Sequence, residues 1–194
     1  SFMNLIIFGP PGAGKGTQSD FIVNKYDLCQ LSTGKVLRNE IKNKTELGKK
    51  ISSIINSGTL VSDDIVKKLV ENFISDKKYK NKLIFDGYPR NLTQAKTLDE
   101  LLIKYGQKLD LVLKLSVSLE TIKKRISERQ TLEKRADDYE DIAIKRYETY
   151  EKSTEPVIEY YKKLNLLKVI DGERSIDQIN KEISDIISFT IGWL

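Results

Sequence analysis

Short apolar runs alternate along the chain with longer segments in which apolar residues recur at helical spacing. Short runs bounded by turn residues indicate buried strands, whereas apolar residues three or four apart indicate helices. The predicted strands are residues 4–8, 29–32, 82–86, 109–115 and 166–170. The predicted helices are residues 15–26, 33–42, 47–56, 63–74, 92–105, 118–128, 142–164 (interrupted at Pro156) and 176–187. Strands that alternate with helices predict a single α/β domain with a mostly parallel sheet.

The composition is that of an ordinary soluble globular protein, with 39% hydrophobic and 31% charged residues among 194. No segment approaches the roughly 20 apolar residues that span a bilayer. The first residues show no basic segment followed by an apolar run, so we expect no signal peptide. Cys29 is the single cysteine, which suits a reducing compartment. We therefore expect a cytoplasmic protein without a membrane partner.

The basic residues give a net charge of +5 but form no clustered stripe with interleaved aromatic residues, so we expect no nucleic-acid partner. Lysine supplies 26 of the 33 basic residues and arginine only seven. A guanidinium holds phosphate oxygens through two parallel hydrogen bonds, which an ammonium cannot do. Each arginine is therefore a candidate for phosphate binding, and a surface salt bridge is an equally good interpretation of any single one.

Histidine is absent from the chain. The absence excludes Ser-His and Cys-His catalysis, and it excludes metal sites built on histidine. Phosphoryl transfer is compatible with it, because positioning and electrostatics do most of the catalysis in that reaction.

The segment Gly9-Pro-Pro-Gly-Ala-Gly-Lys15-Gly-Thr17, here called the phosphate loop, follows a predicted strand and precedes a predicted helix. Its glycines allow a tight turn that aims backbone N–H groups at phosphate oxygens, and the helix adds the positive end of its dipole. Lys15 would reach the β- and γ-phosphates of a nucleotide, and the Thr17 hydroxyl would hold Mg²⁺. Gly16 stands where the common form of this loop has the hydroxyl residue, so the hydroxyl comes one position later.

Asp86 ends a predicted strand beside this loop. In a parallel sheet, the carboxyl ends of neighbouring strands meet at one edge, where ligands bind. Carboxylate and hydroxyl oxygens suit Mg²⁺, which keeps several of its waters in such sites. We therefore expect Thr17 and Asp86 to hold Mg²⁺, in part through water.

Four motifs, at residues 9–17, 31–34 (Leu-Ser-Thr-Gly), 86–90 (Asp-Gly-Tyr-Pro-Arg) and 135–138 (Arg-Ala-Asp-Asp), together resemble those of adenylate kinases. The resemblance runs from Asn4 to about Ile187. It implies the P-loop NTPase fold, a five-stranded parallel sheet flanked by helices. The implied parts of this single domain are a core (1–32, 62–125 and 139–194), an AMP-binding flap (33–61) and a short lid (126–138).

The same resemblance implies reversible phosphoryl transfer from MgATP to AMP, giving two ADP, by a monomer that binds no zinc. The implied ATP contacts are Gly12, Ala13, Gly14, Lys15, Gly16, Thr17, Arg125, Arg129 and, through its backbone, Arg174. The implied AMP contacts are Thr33, Gly34, Arg38, Thr59, Leu60, Val61, Gly87, Tyr88, Pro89, Arg90, Gln94, Arg135 and Arg146. The implied catalytic residues among these are Lys15, Arg90, Arg125, Arg135 and Arg146.

The chain departs from the family pattern in two places. Lys35 stands where the family usually has an acid after Ser-Thr-Gly, which reverses a charge near the phosphates. Only residues 130–134 separate Arg129 from Arg135, which leaves no room for a four-cysteine zinc lid.

Two other functions stay open at this point. A UMP/CMP kinase has the same fold, although an alanine usually replaces Thr33 there and an asparagine Gln94. A hydroxyl and a glutamine amide suit the edge of adenine, and a pyrimidine would leave them unpaired. The other alternative is a nucleotide-binding module without kinase activity.

Overall fold

Five parallel strands form the centre of the molecule in the computed structural model, which describes residues 2–57, 61–133 and 138–192, the side chains of 129–133, 138 and 139 excepted. The strands are β1 (Leu5–Phe8), β2 (Cys29–Ser32), β3 (Leu83–Asp86), β4 (Leu111–Ser116) and β5 (Leu167–Asp171). Their order across the sheet is β2-β3-β1-β4-β5. β1 therefore lies in the middle, and Ile7 pairs with Asp86 on one side and with Leu113 on the other. This register sets the end of β3 beside the end of β1, where the phosphate loop begins.

The described part of the chain contains eight α-helices, of which the first seven lie between strands and the last follows β5. They are α1 (Lys15–Tyr26), α2 (Thr33–Lys42), α3 (Glu46–Asn56), α4 (Asp63–Ser75), α5 (Leu92–Lys104), α6 (Leu119–Glu133), α7 (Asp138–Lys163) and α8 (Ile176–Thr190), with a 3-10 turn at Lys77–Tyr79. Ser62, Asn91 and Ser175 cap α4, α5 and α8 by accepting a backbone N–H three residues on. Within the described ranges no helix is long and apolar enough to cross a membrane.

Apolar side chains cover both faces of the sheet, as parallel strands require. On one face, Ile6 and Phe85 pack with residues of α4, α5 and α7. On the other, Leu5 and Ile7 pack with residues of α1, α6 and α8. The result is a three-layer α/β/α sandwich, so the predicted fold class and the five-stranded parallel sheet are confirmed.

Gly48 brings α2 and α3 into backbone contact. A Cβ atom at this position would lie 1.9 Å from the Glu40 carbonyl oxygen, so only glycine fits. Thr45, the N-cap of α3, accepts a hydrogen bond from the Gly48 N–H at 2.9 Å. The two helices therefore form a closely packed hairpin over most of residues 33–57.

Several predicted helix bounds are wrong: α7 begins at Asp138 rather than at residue 142, and α8 ends at Thr190 rather than at residue 187. Two further differences have a clear physical reason. α7 continues through Pro156 as one helix, because Val157, Ile158 and Tyr161 are buried and hold the turn that follows. The proline removes one backbone donor, and this packing outweighs the loss. α6 runs to Glu133 rather than ending at residue 128. Leu132 is the one apolar residue among 129–133, so no apolar periodicity could indicate this extension.

Candidate active site

A cavity of about 950 Å³ opens at the carboxyl ends of the strands. Its wall is formed by the end of β1, the phosphate loop, the segment after β3 and one side of α7. Cavities that hold small ligands have about this size, and in open parallel sheets they lie at this edge. The position of the site follows directly from the strand order.

The phosphate loop turns twice through left-handed backbone, at Gly12 (φ 88°) and Gly14 (φ 86°). Residues with a Cβ atom rarely adopt these angles, so glycine is required at both positions. Gly14 is the N-cap of α1 and has no side chain to cap the helix. The first N–H groups of α1 are therefore open to an anion, and the helix dipole favours negative charge there.

A chain of polar contacts leads away from Lys15. Its ammonium lies 2.6 Å from Asp86 Oδ1, and Gln30 Nε2 donates to Asp86 Oδ2 at 2.9 Å. Lys35 Nζ donates in turn to Gln30 Oε1 at 3.4 Å. Both oxygens of the Asp86 carboxylate thus have partners, and the Lys35 charge lies at the far end of the same network.

Thr17 and Asp86 offer oxygen ligands of the type that Mg²⁺ prefers. Thr17 is exposed in the first turn of α1, and Asp86 ends β3. Within the described ranges, no three histidine, cysteine or acidic residues come together as a metal cluster. Such a pair of residues fits Mg²⁺ held mainly by nucleotide phosphates and water.

Tyr150 joins α7 to the phosphate loop. Its hydroxyl oxygen accepts a hydrogen bond from the Gly9 N–H at 2.8 Å, and its ring lines the cavity. Burial raises the pKa of the Tyr150 hydroxyl, and the Gly9 N–H partly offsets this effect. The hydroxyl is therefore neutral at physiological pH and fixes the start of the loop relative to the helix.

Two predicted phosphate-binding arginines line the same cavity as Lys15. Arg90 follows β3, and its Nε donates to the Gly87 carbonyl at 2.9 Å. Arg146 lies on α7, one turn before Tyr150. The cavity thus gathers cationic side chains from three different segments of the chain, although the residues are far apart in sequence.

Arg125 and Arg174 make other contacts. Arg125 donates from Nη1 to the Gly12 carbonyl at 2.6 Å and from Nη2 to the Gly172 carbonyl at 3.3 Å. It lines an adjoining cavity of about 400 Å³, which Gly12 and Arg146 also border. The Arg174 guanidinium pairs with Glu182. Arg125 therefore stays next to the phosphate loop, whereas the Arg174 side chain points to a neighbouring carboxylate on α8.

Most of the chain matches the model of one known protein family. Residues 7–166 match the family model described as adenylate kinase. The chain belongs to the adenylate kinase family. A protein named adenylate kinase from Pelagibacter ubique is 43% identical over 211 residues, covering 95% of this chain and 99% of the relative. Adenylate kinases from Fusobacterium nucleatum (41% over 207 residues, 95% of this chain and 98% of the relative) and Maricaulis maris (42% over 177 residues, 91% and 94%) are also similar.

Membership of the adenylate kinase family makes the chain a phosphotransferase that acts on nucleotides. The predicted residues that line the main cavity are Gly12, Gly14, Lys15, Gly16, Thr17, Gly87, Pro89, Arg90 and Arg146. Those that lie outside its wall are Ala13, Thr33, Gly34, Arg38, Val61, Asp86, Tyr88, Gln94, Arg125 and Arg174. Thr59, Leu60, Arg135 and the Arg129 side chain lie outside the described residues.

Thr33 nevertheless borders the segment after β3, and the Arg38 guanidinium lies beside Gly34. A Cβ at Gly87 would lie 3.6 Å from Arg90 Nη2 and 3.9 Å from Thr33 Oγ1, so both groups flank this glycine. A Cβ at Gly34 would lie 3.1 Å from Arg38 Nη1. A second group of polar residues therefore continues from Arg90 toward α2.

Sequence reasoning missed Tyr150 and Gln30. Tyr150 is four residues after Arg146, and residues at this spacing share one helix face, so the arginine could have pointed to it. Gln30 pairs with Ile84 in the register of β2 and β3, two residues before Asp86. Only that register brings its amide to the carboxylate, and a single sequence does not contain this information.

Proposed function

We propose that the chain transfers the γ-phosphoryl group of MgATP to AMP, reversibly forming two molecules of ADP, and so balances the adenine nucleotides. The observation that carries the proposal is the convergence of Lys15, Arg90 and Arg146 with the phosphate loop around one cavity. A reaction between two polyanions needs this arrangement of positive charge.

The acceptor in this reaction needs no general base. An oxygen of the AMP phosphate is already ionised at neutral pH, so it can attack without losing a proton. The barrier lies in bringing two anions together, and preorganised cations lower it. Lys15, Arg90 and Arg146 would offset the charge of the transferred group. The absence of histidine is consistent with this chemistry.

Thr17 and Asp86 would hold the Mg²⁺ that accompanies ATP. When bound, the ion would neutralise phosphate charge and align the phosphates. Asp86 would then share its carboxylate between the ion's waters and Lys15, which it already contacts at 2.6 Å. Gln30 would keep the other carboxylate oxygen oriented.

The remaining parts of the site follow the family pattern as proposals. Residues 33–61 would form the AMP-binding flap, with Arg38 and Arg90 on the AMP phosphate. Residues 126–138 would form a short lid, from which Arg129 and Arg135 would reach the phosphates together with Arg125. The alignments with two of the relatives extend over 211 and 207 positions, more than the 194 residues of this chain, so these relatives carry insertions that this chain lacks. Closure of the two parts would exclude water and prevent ATP hydrolysis.

AMP is the proposed acceptor because Thr33 and Gln94 provide a hydroxyl and an amide for a purine edge. We further propose that the protein works as a cytoplasmic monomer without zinc. The test is a coupled assay of ADP formation from MgATP with AMP, UMP and CMP in parallel. Rapid turnover with AMP alone supports the proposal. Preference for UMP or CMP would contradict the acceptor, and nucleotide binding without turnover would point to a binding module.

A further inference from the structure

The amide group of Gln94 is held at both of its ends. The Arg90 backbone N–H donates to Gln94 Oε1 at 2.7 Å, and Gln94 Nε2 donates to Asp63 Oδ1 at 2.9 Å. Within the described residues, these are the hydrogen bonds of this side chain. They come from different segments, since Asp63 is the first residue of α4 and Arg90 follows β3.

The chemistry of these two partners allows only one orientation of the amide. A backbone N–H can only donate, and an ionised carboxylate can only accept. Reversing the amide would set its NH₂ group against the Arg90 N–H and its oxygen against the Asp63 carboxylate. Both hydrogen bonds would become repulsive contacts, so the orientation of Gln94 is fixed from two sides.

The backbone of Gln94 is held as firmly as its side chain. Its N–H donates to Asn91 Oδ1 at 2.8 Å, the N-cap bond of α5, and its carbonyl accepts from the Tyr88 hydroxyl at 3.4 Å. Tyr88 is buried, and burial together with the Asp63 charge raises the pKa of its hydroxyl, which therefore remains a donor. The Gln94 side-chain amide is therefore carried by a backbone whose position is fixed.

An amide has two N–H donors and two acceptor lone pairs, so one of each remains free on Gln94. The edge of a 6-aminopurine offers an amino donor beside a ring-nitrogen acceptor. The edge of a 6-oxopurine offers the reverse, a carbonyl acceptor beside a ring N–H donor. We infer that Asp63 is a positioning residue that fixes the Gln94 amide and so makes the acceptor site select 6-aminopurine over 6-oxopurine nucleotides. The inference rests on the proposed function, because it takes Gln94 to face the base of the acceptor.

The neighbouring residue Asp64 provides a matched control. Both aspartates lie in the first turn of α4, both are exposed, and both interact with the dipole of the same helix. Asp63→Ala and Asp64→Ala therefore change the net charge and the helix N-terminus alike, and they differ in the contact with Gln94. The readout is the ratio of kcat/KM for AMP to kcat/KM for IMP, with MgATP fixed.

We expect Asp63→Ala to lower the AMP-to-IMP ratio about tenfold, the size of one lost hydrogen bond. The change should appear in KM for the acceptor, with KM for ATP unaltered, and Asp64→Ala should keep the wild-type ratio. Asp63→Asn offers an amide that can either accept from or donate to Gln94, so the Arg90 N–H alone then fixes the orientation, and the ratio should fall but by no more than in the alanine variant. Asp63→Asn also serves if the alanine variant does not fold, which thermal melting of each variant will show.

An unchanged ratio in folded Asp63 variants would overturn the inference, as would an equal drop in Asp64→Ala. Failure of the proposed function is a different result, because the wild-type protein would then show no turnover of AMP at all. A wild-type protein that turns over AMP and IMP equally would overturn the inference and leave phosphoryl transfer to AMP intact.

Discussion

Lys15 Nζ lies 2.6 Å from Asp86 Oδ1, so the cation of the phosphate loop is paired with the residue that ends the neighbouring strand. Both side chains are mostly shielded from solvent, with 28% and 12% of their surfaces exposed. The pair holds the lysine at the cavity wall before a nucleotide is bound. Pre-positioning of this kind means that little reorganisation is needed when phosphate charge arrives.

Lys15→Met should therefore lower kcat with AMP by about 10²–10³, as for the loss of one preorganised donor in a site of this type. Lys49→Met is the control, because Lys49 is exposed on α3 and pairs with Glu46 there. Steady-state kinetics with saturating MgATP and AMP measure the effect. A loss below tenfold would contradict the role given to Lys15.

Lys35 should influence the metal requirement through the Gln30–Asp86 contacts. Lys35→Asp replaces a positive by a negative charge near the proposed Mg²⁺ ligands and should attract the ion. We expect the free Mg²⁺ concentration for half-maximal activity to fall about two- to fivefold, the scale of screened charge effects near a protein surface.

Lys42→Asp is the matched control for this experiment, because it makes the same change of net charge at the exposed end of α2. Titration of Mg²⁺ at fixed ATP and AMP gives the readout for both variants. Equal shifts in the two would show that net charge alone, and not the network around Asp86, sets the requirement.

Tyr150→Phe removes the acceptor of the Gly9 N–H and leaves this backbone donor unpaired in a partly buried place. We expect a loss of about 1–3 kcal/mol in the free energy of unfolding and a drop in kcat/KM for ATP of about tenfold. Tyr147→Phe, one turn earlier on α7, removes a hydroxyl that donates to the Val117 carbonyl at 2.7 Å. It should lower the free energy of unfolding and leave kcat/KM for ATP unchanged. An equal drop in kcat/KM in Tyr147→Phe would contradict a specific role of Tyr150 in ATP binding.

Glu71 should make the stability depend on pH. Lys104 and Tyr105, at the C-terminal end of α5, donate hydrogen bonds to the Glu71 carboxylate and lower its pKa. A lowered folded-state pKa means that the stabilisation is complete above the ordinary value near 4.5 and is lost as the pH falls through the folded-state value. The effect is small, because exposed pairs are screened by solvent.

Urea denaturation of wild type and Glu71→Gln at pH 7 and pH 3 tests this dependence. The wild type should be the more stable of the two at pH 7, and the difference should shrink at pH 3. A difference that is independent of pH would assign the effect of the substitution to packing instead of charge.

The residues around the phosphate loop are predictable from sequence, because their chemistry is local. Glycines, a lysine and a hydroxyl at fixed spacing between a strand and a helix point to one structure. Strands with apolar runs, such as the one that ends at Asp86, are equally easy to predict from sequence. These features predict the fold class and the part of the cavity wall that the phosphate loop forms, but not the part that α7 forms.

The contacts that position the phosphate loop and Asp86 join residues that are far apart in sequence, so they depend on the tertiary structure. Gln30 reaches Asp86 only through the register of β2 and β3, and Tyr150 reaches Gly9 across 141 positions of sequence. The helix through Pro156 was missed for the same reason, since the packing of Val157 and Tyr161 decides it. In each case a distant partner outweighs what the neighbouring residues would favour.

The hydrogen bonds of Tyr150 to Gly9 and of Tyr147 to Val117 attach the middle of α7 to the phosphate loop and to the end of β4. The part of the helix from Asp138 to Tyr150 is about 18 Å long at about 1.5 Å per residue. A tilt of about 10° around Tyr150 moves the far end of that part by about 3 Å, while the hydroxyl stays in place. Arg146 sits close to Tyr150 and moves little. A displacement of the first turn of α7 is thereby compatible with a nearly stationary Arg146 charge at the cavity wall.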